Sequence, residues 1–182
     1  VFEDGTLWGI VTEDAILQAV IRNLEVLTVE QLYTDEVITL REDDHLGKAI
    51  NCLRENDISR LPVVNENGRL AGMVTTHDIA DFAVRTMERQ QKGDRSGDTD
   101  RMLDLPVYDM MNSPVETITG DETVKTAVER MLESGYAGLV VTPEDDDTSV
   151  AGILTKTDVL RALTFTEERS MDVQITNIDL LE

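Results

Sequence analysis

The sequence predicts a mixed α/β (α+β) fold made of two β-α-β-β-α repeats. The main observation is internal self-similarity, because residues 29–65 and 107–142 align almost without gaps. Both stretches continue into an apolar strand followed by a helix, at 69–84 and 149–163. Self-similarity at a fixed spacing is typical of repeated structural units. A chain of 182 residues is long enough for two small units with their own cores.

Each repeat opens with a short strand, predicted at 37–40 and 115–119, and an acidic cap, Asp43 or Asp121, is expected to begin the helix that follows. Apolar residues in both helices recur at the i, i+3, i+4, i+7 spacing that puts them on one buried face. These residues are Leu46, Ala49, Ile50 and Leu53 in the first repeat, and Val124, Ala127, Val128 and Met131 in the second.

A β-hairpin and a second helix complete each repeat. In the first repeat the hairpin turns at Asn67-Gly68, a pair that tolerates the backbone angles of tight turns. In the second repeat a longer acidic loop, residues 143–149, takes that place. The residues expected to face inward from the final helices are Ile79, Phe82, Ala83, Val159, Ala162 and Leu163.

These patterns divide the chain into five parts. Residues 1–24 hold a partial copy that lacks the front half of the unit, and the two full repeats occupy 25–89 and 103–166. Residues 90–102 are polar and glycine-bearing, which is typical of a linker. Residues 167–182 form a tail or the start of a following domain. We expect the chain to be a piece of a longer protein.

The chain is strongly acidic, with 37 acidic and 16 basic residues and a net charge of −21. Two explanations remain open: a solvated acidic surface like that of proteins from salt-loving archaea, or an acidic face for a basic partner. Molar salt shortens the Debye length to about 3 Å, which weakens long-range attraction to such a partner. The charge argues against nucleic acid, whose phosphates require clustered lysine and arginine.

Composition also bounds the function classes. No apolar run approaches the roughly 18 residues of a membrane-spanning helix. The one cysteine, Cys52, suits a reducing compartment, so we expect a cytoplasmic protein without a membrane partner. The sequence lacks a phosphate-binding G-x-x-x-x-G-K-[ST] loop, a Cys/His metal cluster and a convincing Ser-His-Asp set. We therefore expect no enzyme, no catalytic residue, no cofactor and no metal.

Two sequence features then point to a known family. The strand Arg60-Leu61-Pro62-Val63-Val64 and the segment 72–78 are similar to a cystathionine β-synthase (CBS) domain, and the segment 152–158 repeats the same G-h-h-T-x-x-D motif. The resemblance covers 29–87, 107–165 and part of 1–24. It implies two repeats docked sheet to sheet as a pseudo-symmetric pair, a Bateman module, within an archaeal multi-CBS protein.

The resemblance also implies a function. CBS pairs bind AMP, ADP, ATP, S-adenosylmethionine or related ligands in the two clefts between the repeats, and they regulate an attached or associated protein. We therefore expect a regulatory module that senses an adenosyl ligand and forms a homodimer of pairs. Two alternatives stay open: a ligand-free assembly module and a Mg²⁺-responsive module. The acidic triplet at 145–147 could bind Mg²⁺ or could be a solvated loop.

The T-x-x-D motif itself has two interpretations. It can be a capping box, in which the threonine caps the helix and the aspartate reaches back. Alternatively, free N–H groups at the helix start attract a phosphate, and the carboxylate accepts bonds from ribose hydroxyls. By the family pattern, Asp78 and Asp158 would hold ribose. The threonines of the two motifs, which would contact ribose or phosphate, are Thr75, Thr76, Thr155 and Thr157.

The resemblance assigns further groups to the two sites. Arg60 and His77 would approach phosphate in the first site and Lys156 in the second, although Arg60 could instead pair with Glu55 or Asp57 at the surface. The positions that match the adenine pocket, each of which could equally be core, are Val37, Ile58 and Pro62 in the first repeat and Val115, Tyr136 and Ala137 in the second.

Three departures from the pattern qualify these assignments. Ala15 replaces the motif aspartate in the partial copy, so its cleft should be weak or unused. The second repeat has Val140 in place of Pro62 and Gly138 in place of Arg60. We therefore expect the first repeat to hold the tighter site.

Overall fold

The structure is a computed structural model that describes residues 2–3, 5–7, 9–90 and 102–166. The strands are β1 Phe2–Glu3, β2 Thr6–Leu7, β3 Leu40–Arg41, β4 Arg60–Val64, β5 Leu70–Thr75, β6 Thr117–Thr119, β7 Gly138–Thr142 and β8 Gly152–Thr155. The helices are α1 Glu13–Val20, α2 Leu46–Glu55, α3 Thr76–Gln90, α4 Val124–Ser134 and α5 Lys156–Thr166. Short 3-10 helices cover Ile21–Val26, Val29–Gln31 and Val107–Asp109.

Each repeat forms a three-stranded sheet, in the order β3-β4-β5 and β6-β7-β8. The first pair of strands in each sheet is parallel and the second is antiparallel. The two sheets also share a register: Arg60 pairs with Thr75 in the first, and Gly138 pairs with Thr155 in the second. The predicted repeat is confirmed, although the opening strands are shorter than predicted. Most of the predicted linker and the tail lie outside the described residues.

The predicted helix faces are buried as expected. Leu46 and Ala49 of α2 are fully buried, and Leu53 is 5% exposed. Ile50 packs at the edge of the same cluster. The four predicted core residues of α4 are completely buried. Hydrophobic periodicity was sufficient to predict the buried faces of α2 and α4, because each helix covers only one side of a sheet.

The prediction that Asp43 and Asp121 cap these helices is wrong. The caps are His45, whose side chain makes no capping bond, and Thr123, whose hydroxyl oxygen accepts a hydrogen bond from the Thr126 N–H. Asp43 instead accepts from Arg41 Nε at 3.2 Å, and Asp121 accepts from a threonine hydroxyl two residues earlier at 2.6 Å. Both aspartates lie too early in the chain to reach the free amides, so they bond within the turn that precedes the helix.

The front segment of each repeat packs on the other repeat. Thr34 and Ile153 exchange two backbone hydrogen bonds of 2.9 and 3.0 Å, and Met73 and Asn112 exchange two of 3.0 and 2.9 Å. The 3-10 helices make similar contacts across the pair. The Val29 N–H donates to Glu122 O at 2.9 Å, and the corresponding Val107 N–H donates to Asp44 O. Residues 28–34 and 107–112 are therefore exchanged between the repeats.

This exchange produces two cores, each of which includes residues from outside its own repeat. The first core contains Val107 and Met110 as well as the sheet and helix of the first repeat. The second core contains Leu17, Leu24 and Val29 together with the second repeat. The helix α1 of the predicted partial copy is thus part of the second core. Within the described ranges, no helix has the length and apolar character needed to cross a membrane.

Two glycines make the exchange sterically possible. A Cβ atom on Gly72 would lie 2.8 Å from the Met111 Cγ, and one on Gly152 would lie 2.7 Å from the Thr34 backbone oxygen. The sequence alone allowed either a ligand or another backbone to approach these positions. In the structure it is the exchanged segment of the other repeat that does so.

Candidate functional site

The T-x-x-D turns form complete capping boxes in both repeats. Asp78 Oδ2 accepts from the Thr75 N–H at 2.8 Å and from its hydroxyl at 2.6 Å, and the Asp78 N–H donates back to Thr75 Oγ1 at 3.2 Å. Asp158 and Thr155 make the same three bonds at 2.9, 2.6 and 3.2 Å. The helix-starting role of the motif is therefore present, and it uses one oxygen of each carboxylate.

The second carboxylate oxygen distinguishes the two turns. Asp78 Oδ1 accepts a hydrogen bond of 2.6 Å from Asn112 Nδ2, a residue of the exchanged segment. Asp158 Oδ1 has no hydrogen-bond partner among the described residues. A carboxylate oxygen without a protein donor can accept from a ligand hydroxyl at no cost in protein bonds.

The amides at the helix starts are largely used by the protein. The Thr76 N–H donates to Ser59 O at 2.9 Å, and the Lys156 N–H donates to Ala137 O at 3.0 Å. With the capping-box bonds, three of the first backbone N–H groups of each turn have acceptors. The hypothesis that free amides attract a phosphate therefore receives little support, and the carboxylate oxygen becomes the better ligand group.

Arg60 lies across the interface between the repeats. A Cβ atom on Gly138 would be 3.0 Å from Arg60 Nη1, so the absence of a side chain there leaves room for the guanidinium. Burial lowers the pKa of Arg60, while the carboxylates of Asp158 and Glu13 act in the opposite direction. Arg60 was expected in the first site, yet its acidic neighbours belong to the second repeat and to α1.

This placement also bears on the surface alternative for Arg60. In the described part of the chain, Arg60 forms no ion pair with Glu55 or Asp57, and its one side-chain hydrogen bond is a long one of 3.5 Å to Ser59 Oγ. The second repeat has Gly138 at the position equivalent to Arg60, and the Arg60 guanidinium itself places a cation near Asp158 of that repeat. Sequence comparison of the repeats could not find this, because it aligns Arg60 with Gly138 without placing them in contact.

Lys156 is a buried cation with an acidic partner from the other end of the chain. Its side chain is 6% exposed, and Nζ lies 2.6 Å from Asp14 Oδ1. Asp14 itself is 53% exposed. Sequence reasoning did not single out Asp14 and Glu13 as carboxylates near this turn. The sequence feature that could have indicated them is their position within Thr12-Glu13-Asp14-Ala15, the partial copy's equivalent of the two T-x-x-D turns.

The other expected ligand residues are found in varied surroundings. Tyr136 is 48% exposed and Ile58 is 36% exposed, so neither is a core residue. Pro62 is buried, Val37, Val115 and Ala137 are half-buried, and the Ala137 carbonyl is the one bonded by Lys156. The motif residues whose side chains are exposed are Thr76, His77 and Thr157. Their ligand roles stay predictions, as does the expectation that the first repeat holds the tighter site.

The acidic loop at 145–147 is organised by its own hydrogen bonds. The Ser149 hydroxyl, the Thr148 hydroxyl and the Thr148 N–H all donate to the Asp146 carboxylate, and together they lower its pKa to about 2. Across the described ranges, no group of three His, Cys, Asp or Glu residues is placed to hold a metal ion.

The two sheets with their helices match a known repeated domain. The CBS domain profile matches residues 29–85 and 107–164, more than half of the chain and one match for each repeat. The chain belongs to the CBS domain family. A CBS pair is a regulatory module, and the two matches correspond to the two sheets with their helices.

One relative of known sequence is the uncharacterized protein MJ1404 of Methanocaldococcus jannaschii. It is 30% identical over 159 residues, which cover 86% of this chain and 37% of that protein. Because the chain spans well under two thirds of this relative, the activity of any larger protein is not given by the match.

Solved structures share the fold. Protein MJ1225 of M. jannaschii superposes with a TM-score of 0.75 at 24% identity, over 88% of this chain and 56% of that one. The CBS pair of MJ0100, solved with 5′-methylthioadenosine and S-adenosylmethionine, has a TM-score of 0.61 at 25% identity over 76% and 97%. CBSX2, solved with AMP, has a TM-score of 0.62 at 21% identity over 78% and 98%.

Proposed function

We propose that this CBS pair is a regulatory module that binds an adenosyl compound at the Thr155–Asp158 turn. The observation that carries the proposal is Asp158 Oδ1, to which no described residue donates a hydrogen bond, beside a carboxylate oxygen that the capping box already fixes. A fixed carboxylate with one open oxygen is suited to accept hydrogen bonds from the two hydroxyls of a ribose. The ligand class is supported by the solved CBS pairs that hold AMP, 5′-methylthioadenosine and S-adenosylmethionine.

The Thr75–Asp78 turn is proposed as a second, weaker site. Asn112 already donates to Asp78 Oδ1, so a ribose has fewer open acceptor positions there than at Asp158. We therefore propose that the Asp158 site fills first, which reverses the order expected from the pattern of the repeats alone. The output is regulatory: ligand bound at the Asp158 turn favours one arrangement of the pair and thereby acts on an attached or associated protein.

Calorimetric titration of the chain with AMP, ATP, S-adenosylmethionine and 5′-methylthioadenosine at high KCl tests the proposal. At a free concentration 100 times the Kd, a ligand should stabilise the fold by about 2.7 kcal/mol. Asp158→Asn keeps an oxygen for the capping box but changes the charge of the ribose acceptor, and it should weaken binding at least about tenfold. Thr164→Ala, on the same helix, is the matched control and should bind normally.

Two other results would change the assignment. Normal affinity in Asp158→Asn together with a loss of binding in Asp78→Ala would place the ligand at the first turn. No heat and no thermal shift with any of the four compounds would leave a ligand-free assembly module. Light scattering measures the homodimer of pairs, for which exposed apolar side chains near α1, Ile10 at 83% and Val11 at 57%, are the supporting feature.

A further inference from the structure

The cations around the Asp158 turn are already matched by carboxylates of the protein. Lys156 is two residues before Asp158, and its ammonium is bonded to Asp14. Arg60 is attracted by Asp158 and by Glu13. Two cations therefore face three carboxylates, two of which come from the first turn of α1. A ligand that carries its own negative charge has to compete with those groups.

Asp14 is placed so that another anion could displace it from Lys156. Lys156 is almost completely buried, so its ammonium needs an anionic partner in place of water. Asp14 Oδ1 accepts a charge-assisted hydrogen bond of 2.6 Å from Lys156 Nζ. Because the Asp14 side chain is half-exposed, it can rotate into solvent, whereas the fully buried Leu17 holds α1 itself in the second core.

From this arrangement we infer that Asp14 is a specificity-determining residue of the Asp158 site: it occupies Lys156 and so favours adenosyl compounds whose 5′ substituent is uncharged or cationic over nucleotides with a 5′ phosphate. The inference rests on the proposed adenosyl function. A neutral thioether or a sulfonium leaves the Asp14–Lys156 pair intact. A phosphate has to approach Lys156 against the charge of Asp14, displacing it or sharing the ammonium with it, and it also comes close to two further carboxylates, Glu13 and Asp158.

The test compares 5′-methylthioadenosine with AMP on the whole chain by calorimetry at fixed KCl. Wild type should bind 5′-methylthioadenosine at least about tenfold tighter than AMP. Asp14→Asn keeps an oxygen that accepts from Lys156 but removes the negative charge. It should improve the affinity for AMP by about tenfold and change that for 5′-methylthioadenosine by less than about twofold. Glu66→Gln, which removes one charge in the β4–β5 turn, should change neither affinity.

Two further variants assign the effect to the site. Adding Asp158→Asn to Asp14→Asn should abolish the gain in AMP affinity, because the gain belongs to the Asp158 turn. In a Lys156→Gln background, Asp14→Asn should no longer alter AMP binding, since the cation for which the two anions compete is gone. This second comparison does not depend on the stability of the single Asp14 variant.

The outcomes separate the two claims. Equal affinities for AMP and 5′-methylthioadenosine in wild type, with no response to Asp14→Asn, would overturn this inference and leave adenosyl binding in place. An AMP gain that persists after Asp158→Asn would overturn it as well, because the competing pair would then act elsewhere. Absence of binding by both compounds would overturn the inference, and if ATP and S-adenosylmethionine also fail to bind, the proposed function falls with it.

Discussion

Asn112 Nδ2 donates a 2.6 Å hydrogen bond to Asp78 Oδ1, which ties the exchanged segment of the second repeat to the capping box of the first. The equivalent position in the other half of the pair is Thr34, which bridges to Ile153 as Asn112 bridges to Met73. Among the described contacts, Thr34 gives no hydrogen bond to Asp158. Asparagine and threonine thus occupy equivalent positions, and among the described contacts only the asparagine donates to the carboxylate of the turn beside it.

Asn112→Ala should destabilise the fold by about 1 kcal/mol, because it removes one donor to a carboxylate that keeps its other bonds. The free energy of unfolding from urea denaturation at constant KCl measures the effect. Asn51→Ala is the control: its oxygen accepts from Arg54 on the exposed face of α2, and the change should cost less than about 0.5 kcal/mol. Equal losses in the two variants would mean that the Asn112 bond adds nothing specific.

Gly152→Ala and Gly47→Ala should shift stability in opposite directions. The added Cβ at 152 would lie 2.7 Å from Thr34 O, so Gly152→Ala should cost about 2 kcal/mol or more. At 47 the nearest atom would be Leu103 O at 3.5 Å, an ordinary contact, and alanine should stabilise α2 by about 0.5 kcal/mol. Thermal unfolding measures both. A neutral Gly152→Ala would contradict the close approach of the exchanged segment.

Proline substitutions should disrupt the backbone hydrogen bonds of one exchanged segment without affecting those of the other. Thr34→Pro removes the N–H that donates to Ile153 O, and we expect faster hydrogen exchange at the Ile153 amide. The Met73 amide, which bonds to Asn112 O, should keep its protection. Asn112→Pro should have the opposite pattern, with faster exchange at the Met73 amide and unchanged protection at the Ile153 amide. Each variant controls for the other, and loss of protection at both amides in either one would show that the exchanged segments are not independent.

The Asp146 carboxyl should titrate with a midpoint near pH 2. Hydrogen bonds from Ser149 and Thr148 lower its pKa from 3.8 to about 2. Because the folded-state pKa is the lower one, the stabilisation is present above pH 3.8 and is lost as the pH falls towards 2. Carbon-detected NMR of the carboxyl group measures the midpoint, and Ser149→Ala should raise it.

Ser134→Ala removes a hydroxyl on α4 and is the control for that titration, so it should leave the Asp146 midpoint unchanged. A wild-type midpoint near 3.8, the ordinary value for aspartate, would disprove the hydrogen-bonded loop. The loop matters beyond its own turn, because the Thr148 carbonyl accepts from the Leu70 N–H at 2.6 Å and so links the two repeats.

Local patterns in the sequence determined most of the secondary structure. The apolar stripes of α2 and α4, the Asn67-Gly68 turn and the two T-x-x-D helix starts all follow from interactions within a few residues. Gly68 has a φ of 75°, as the turn requires. The caps were mistaken because Asp43 and Asp121 lie two residues before the actual caps, His45 and Thr123, and their carboxylates accept from side chains of the preceding turn instead.

Tertiary structure alone decided how the site is assembled. The partners of Asp78, Arg60 and Lys156 are Asn112, Asp158 and Asp14, which lie in other repeats or in the partial copy. No periodicity encodes contacts of that separation, since they arise when the front segments cross between two similar cores. The sequence by itself determined that the chain has two matching halves with an aspartate in each. The packing of those halves determined that Asn112 donates to Asp78, whereas Oδ1 of Asp158 receives no hydrogen bond from any residue that the structure describes.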